Sequence, residues 1–212
     1  MNKYKIRSLC LLFSVVITNS YAQTYSIDKH ASEIKILVFK NGILSGLAHN
    51  HVIVIKKFTS NISWDKEDFT KSKVQIEIPI KEFIVDDSTY RNTEGENFKK
   101  EVTEDDRKEI YDTMLDEDHL YEVKYPEIFV KINSFSGKLP TPTADLEITL
   151  HGVTKKFDLP INLQIGNDNI QANSELKILQ TDFNIKPHSA AFGMIGIEDE
   201  LTIKFNVRVK SN

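Results

Sequence analysis

His49 and His51, one residue apart, have the spacing best suited to chemistry in this chain. On a strand, alternate side chains leave from the same face about 6.6 Å apart, close enough to share one metal ion or to face a haem. Neutral imidazole is the common ligand for such ions. Two ligands do not complete a site, and no nearby His-x-Glu or cysteine adds a third. His30, His151 and His188 could join only through folding. The plainer use is that both rings hydrogen-bond where they stand or touch the polar end of a ligand. Catalysis has little footing here. There is no Gly-x-Ser-x-Gly elbow, no His-Glu-x-x-His and no phosphate-cradling glycine loop, and the only cysteine is Cys10. Asp86, Asp87, Asp105 and Asp106 read as solvated turn and helix-cap groups rather than an acid–base pair. His151, at a turn, reads as exposed. The chain is read as a binding protein, not an enzyme.

The elements that must position these residues are strands. Leu146, Ile148 and Leu150 alternate with polar residues before Gly152. After it, Phe157, Leu159, Ile161, Leu163 and Ile165 do the same. A period of two gives each strand one dry and one wet face, and the short glycine turn makes the pair an antiparallel hairpin. Pro160, which cannot donate to a ladder, marks an edge or a bulge. Further period-two runs lie at Ile34 to Val38, Leu47 to Ile55, Lys73 to Ile80, Ile128 to Ile132, Ile170 to Ile178 and Leu201 to Val209. About eight one-sided strands describe an antiparallel sandwich or closed barrel. Val52 to Ile55 is apolar on both parities, so its outer face needs cover from the helix or from Phe183 to Phe192. That helix is predicted over Glu104 to Glu117. Thr103 is its N-cap, Asp106 closes the capping box, and Ile110, Tyr111, Met114 and Leu115 form its apolar stripe. Ser88 to Lys100 reads as a polar loop, and Gly193 to Gly196 as an apolar lip of the barrel.

Composition sets the compartment. Lys3, Lys5 and Arg7, an apolar run from Leu9 to Ile17, and Ser20-Tyr21-Ala22 form a secretory signal peptide ending at residue 22. Residues 23–212 then form one domain without cysteine, large enough to fold on a hydrophobic core alone. Losing the three cations takes the formal charge from −4 to −7. Such a chain is a poor binder of nucleic acid or anionic headgroups by charge alone. The mature chain has no membrane span, and the expected location is a bacterial periplasm.

Five blocks in order resemble the YceI-like family of exported lipid- and polyisoprenoid-binding proteins. They are Tyr25-x-Ile27-Asp28-x-His30, Tyr125-Pro126-Glu127-Ile128, Leu146-x-x-x-Leu150-His151-Gly152-Val153-Thr154-Lys155, Thr181-Asp182-Phe183-Asn184-Ile185 and Glu198 to Ile203. The resemblance implies an all-β, lipocalin-like antiparallel eight-stranded barrel with one helix and an isoprenoid chain inside. Two stretches depart from the family pattern. Gly46-Leu-Ala-His-Asn-His51 stands where a Gly-x-Phe turn is common, and the acidic stretch Asn97 to Asp118 precedes Tyr125. Both bear on ligand identity more than on fold.

Apolar alternation is equally required of a packed core, and on the residues alone that reading stands first. The resemblance turns it toward a hollow barrel carrying a polyisoprenoid or quinone-like lipid without chemistry and with no other cofactor. Its interior and mouth would be formed by Ile36, Val38, His49, His51, Ile76, Ile78, Ile148, Leu150, Phe157, Leu159, Ile161, Phe183, Ile203 and Phe205. Val74 and Val207 share the inward parity. His49 and His51 should lie beside Ile53 near one end. Two other readings stay open: a metal- or haem-associated protein using His49 and His51, and a packed barrel serving as an interaction module beside a membrane redox complex through its helix stripe.

Overall fold

The computed structural model describes residues 23–211. The expected signal peptide at residues 1–22 therefore lies outside the described residues. Alternating side chains build a single, wholly antiparallel sheet. Its strands are β1 (Gln23–Ile27), β2 (Glu33–Asn41), β3 (His51–Ile55), β4 (Thr59–Trp64), β5 (Lys73–Pro79) and β6 (Ile84–Val85). They continue with β7 (Glu127–Ser136), β8 (Thr143–Leu150), β9 (Val153–Pro160), β10 (Asn162–Ile165), β11 (Asn169–Leu179), β12 (Ser189–Ala190) and β13 (Ile195–Ser211). The sequence suggests about eight strands, and the difference lies mostly in short pieces and in strands that bend. β4 is the strand that patterning misses, because Ser60 takes an alternate position beside Ile62 and Trp64 and weakens the alternation.

The pairing order is β6-β3-β2-β13-β1-β4-β5-β7-β8-β9, with β11 on the other edge of β13 and β10 on β11. The 17-residue β13 is the spine. It holds β2 along Gly196 to Asn206 and β1 along Val209 to Ser211. No ladder joins β9 to β11 to close the ring. Instead the chain leaves β9 at Pro160 and bends into β10, whose Leu163 lies opposite Ala172 of β11. The Ser174 hydroxyl donates to the Pro160 carbonyl at 2.6 Å across this seam. Pro160 thus sits at an edge and a bend, where its missing N–H costs no ladder bond. The β8–β9 hairpin turns on His151 and Gly152, at φ 51° and 75°. Two successive positive-φ residues give the primed turn that matches strand twist.

The helix starts where the sequence places it and ends slightly sooner, as α2 (Glu104–Leu115); a one-turn helix, α1 (Ser88–Arg91), precedes it. The Thr103 hydroxyl accepts from the Asp106 N–H at 3.1 Å, and the Asp106 carboxylate accepts from the Thr103 N–H at 3.2 Å. Each bond satisfies a donor that a helix start would otherwise strand. Among the described residues no helix is long and apolar enough to cross a membrane.

The outer face of β3 does need cover, but not from α2 or from Phe183 to Phe192. Val52 and Val54, both fully buried, pack with Leu37 and Phe98, against Phe39, Ile84 and Tyr90. Residues 88–100, expected as a polar loop, thus form an outer layer anchored by isolated aromatics.

Candidate ligand-binding cavity

A cavity of about 540 Å³ runs through the interior, within the range of small-molecule sites. Its floor is closed by Trp64, Phe135, Leu163 and Ile170, all buried, with Trp64 and Phe135 edge to face at 6.0 Å. Its wall is aliphatic because each strand turns its apolar parity inward. Ile36, Val38, Ile76, Ile78, Ile148, Leu150, Leu159, Ile161, Ile203 and Phe205 all line it, as do Val74 and Val207. Two expected residues do not. Phe183 is wholly buried in the 3-10 turn Gln180–Phe183, which packs against β9 and β11 where no ladder joins them, so it fills the seam. Phe157 keeps the inward parity of Leu159 but packs into the core beside that seam, away from the hollow.

Polar side chains gather at one end. His49, His51, Asp106, Glu109, Thr113, His119 and His188 line the cavity there, and Glu109 and His188 are its exposed members. That end is the mouth. α2 lies along it with Ile110 and Met114 facing the cavity. These side chains are half-buried, as is Leu115, and all three pack against the core. His49 precedes β3 rather than lying on it, yet both imidazoles line the cavity beside Ile53, with centroids 6.5 Å apart. His119 and His188 form a second pair at 5.3 Å. His119 is a mouth residue that the sequence reading missed, and no local pattern marks it. Among the described residues no group of three or more His, Cys, Asp or Glu side chains is placed to hold a metal.

Behind the mouth lies a charge network hidden from sequence patterning. Asp86, expected in solvent, is 1% exposed. Its carboxylate accepts from His51 Nδ1 at 2.6 Å, from the Val52 N–H at 2.8 Å and from the Arg91 guanidinium. Burial pushes the Asp86 carboxyl up, but His51, the Val52 N–H and Arg91 together hold it below the usual range. An ionised carboxylate can only accept, so His51 Nδ1 carries a proton and Nε2 is left to accept or donate elsewhere. Arg91 also donates to the carbonyls of Asn50 at 2.6 Å and Lys100 at 2.9 Å, tying the outer layer to β3. Burial lowers the pKa of His49, helped by the positive charges of Lys100, His51 and Arg91. Burial and neighbouring His119 do the same for His188. At neutral pH the His49 and His188 rings are therefore mostly uncharged. His151, expected exposed, is half-buried, with Nδ1 3.1 Å from the Phe183 carbonyl and its ring against Tyr125.

A curled antiparallel sheet around a closed-floored apolar cavity is the architecture that the sequence resemblance implies. The profile of the YceI-like domain matches residues 25–209. The chain belongs to the YceI-like family. Solved structures show the same fold at low identity. BcnA of Burkholderia cenocepacia is 14% identical with a TM-score of 0.63, over 86% of this chain and 99% of that one. A polyisoprenoid binding domain from Saccharophagus degradans, described as implicated in plant cell wall breakdown, is 15% identical with a TM-score of 0.59, over 90% and 99%. The YceI protein of Campylobacter jejuni is 13% identical with a TM-score of 0.54, over 100% and 99%. No curated protein matches the chain.

Proposed function

We propose that this YceI-like protein is an exported carrier or sequestering protein that holds a polyisoprenoid or quinone-like lipid in its barrel and performs no chemistry on it. The observation that carries this reading is the 540 Å³ cavity, aliphatic along its length and polar only at its mouth. An amphipathic chain with one oxygen-bearing end fits that gradient. Each buried carbon contributes about 0.8 kcal/mol, so one five-carbon unit contributes up to about 4 kcal/mol before binding costs. His49, His51, His119 and His188 stand where the polar end would lie, and His51 Nε2 suits a carbonyl or phosphate oxygen when protonated. The polyisoprenoid binding domain from Saccharophagus degradans, which shares the fold, supports the ligand class. The basic start, apolar run and small-x-small motif read in the sequence of residues 1–22 support export to a periplasm.

Native mass spectrometry and organic extraction of protein purified from its own host test the reading. A stoichiometric prenyl lipid is the expected result. A barrel that never carries lipid, and takes up none from detergent-solubilised prenols or quinones, would overturn it. Cell fractionation tests the location separately.

A further inference from the structure

Among the described residues, five of the ten large apolar side chains that stand exposed belong to two loops that touch: Ile43, Leu44 and Leu47 on one, Phe192 and Met194 on the other. The Leu44 N–H donates to the Met194 carbonyl at 2.9 Å, and Gly42, at φ 100°, lies so close to that carbonyl that any side chain would collide with it. The loops therefore form one rigid tip. Ile43 is 90% exposed, Leu47 70%, and Phe192 completely. Neither Gly42 to Ala48 nor Ser189 to Ile197 contains a charged side chain. Ala191 and Phe192 both adopt left-handed backbone, at φ 51° and 56°. For a bulky residue this conformation is costly, and here it holds the ring outward in water.

We propose that this tip is a bilayer-docking element that seats the cavity mouth on a membrane. The tip continues directly into that mouth, because Ala48, His49, His188, Ile195 and Gly196, from the same two segments, line the cavity. Exposed apolar residues scattered over a surface need no explanation, but a cluster does. Its form favours lipid over a protein partner. Narrow uncharged tips can enter the interfacial layer, whereas a stable protein interface needs roughly 800 Å² per side with a polar rim. Behind the tip, the Lys40 and Lys100 ammonium groups lie against the carbonyls of the Gly46 to Ala48 segment, so the collar beneath it carries two cations, while the adjoining mouth carries the Asp106 and Glu109 carboxylates. Phosphate headgroups would meet that collar once the apolar side chains are immersed, although the whole chain is acidic. The inference rests on the lipid-carrier reading for its purpose, but not for its test.

Vesicle flotation decides it, with vesicles of phosphatidylethanolamine and phosphatidylglycerol and, separately, of phosphatidylcholine. The purified protein is expected to float with both. The variant Ile43→Ser/Leu47→Ser/Phe192→Ser should lose at least tenfold in partition while still carrying cavity lipid, since none of the three lines the cavity. The cavity-filling variant Ile76→Phe/Ile148→Phe should lose its cargo and keep vesicle binding. Because the described residues hold no cysteine, Phe192→Cys carrying a polarity-sensitive dye gives a second readout, a blue shift on adding vesicles. Failure of the unsubstituted protein to float, equal flotation of the serine variant, or no shift of the dye would overturn the docking proposal and leave the carrier reading standing. Loss of flotation in the folded cavity-filling variant would also overturn it. Binding only to protein-containing native membranes, or self-association abolished by the serine variant, would give the tip to a protein partner and overturn it too.

Discussion

Asp86 and Arg91 form a buried ion pair, with His51 and the Val52 N–H as further partners of the carboxylate. Removing one partner leaves the second uncompensated in a low-dielectric interior, a cost of about 3–5 kcal/mol. Arg91→Met is therefore expected to lower stability by about that much in urea unfolding, and Asp86→Asn/Arg91→Met to recover part of the loss. The pH dependence follows from the shifts. Asp86 is depressed, so its contribution is complete above the unfolded value near 3.9 and is lost as pH falls through the folded one. His49 and His188 are also depressed, so the unfolded chain binds protons first. Their effect is absent well above pH ~6.5 and destabilising below it. Stability should therefore decline as pH drops from about 6.5. His49→Gln/His188→Gln should flatten that decline in a pH series of unfolding midpoints. Of these groups, sequence spacing pairs only His49 with His51. Asp86 follows the apolar Ile84 and Val85 but opens the polar run Asp86-Asp87-Ser88, which reads as a turn, and its partners are fixed by the packing of residues 87–102.

At the level of elements, the strands were legible where their burial is one-sided and long. The β8–β9 hairpin, β5 and the inner part of β13 follow from period two alone, and α2 from its capping box. The outer layer was not legible, because Tyr90 and Phe98 stand singly among polar neighbours and match no period. Their energetic weight is nonetheless that of core residues. Phe98 is 3% exposed and packs edge to face with Phe39 at 5.6 Å. Phe98→Ala should cost about 3–5 kcal/mol. Thr103→Ala, which removes only a cap, should cost about 1 kcal/mol. Thermal unfolding of the two variants side by side checks the contrast. An equal, small effect would mean that residues 88–100 do not pack on β3 as described.

For the whole molecule, the central question is whether a barrel with so apolar a wall is filled by its own side chains. Alternation cannot answer it, since a packed core and a hollow one read alike. The answer lies in how far the sheet is opened by bent strands such as β9–β10 and by α2 across the mouth. Ile76 and Ile148 flank Val130 across the β5–β7–β8 ladders and all three face the hollow. Ile76→Phe/Ile148→Phe is expected to abolish lipid co-purification while changing stability by less than about 1.5 kcal/mol, because the added rings enter space rather than displace neighbours. A large loss of stability would mean that the space is not there.

Trp64 is the single tryptophan of the chain, and it forms part of the cavity floor rather than the mouth. The protein thus carries its own optical gauge of depth. Under excitation selective for indole, a ligand that reaches the floor must change the emission of Trp64, and one held only among the histidines must not. Titrating prenols of increasing chain length should leave the emission flat until the tail touches the indole. The length at which the signal first moves measures the reach of the tunnel in carbon atoms, without a label and without a crystal.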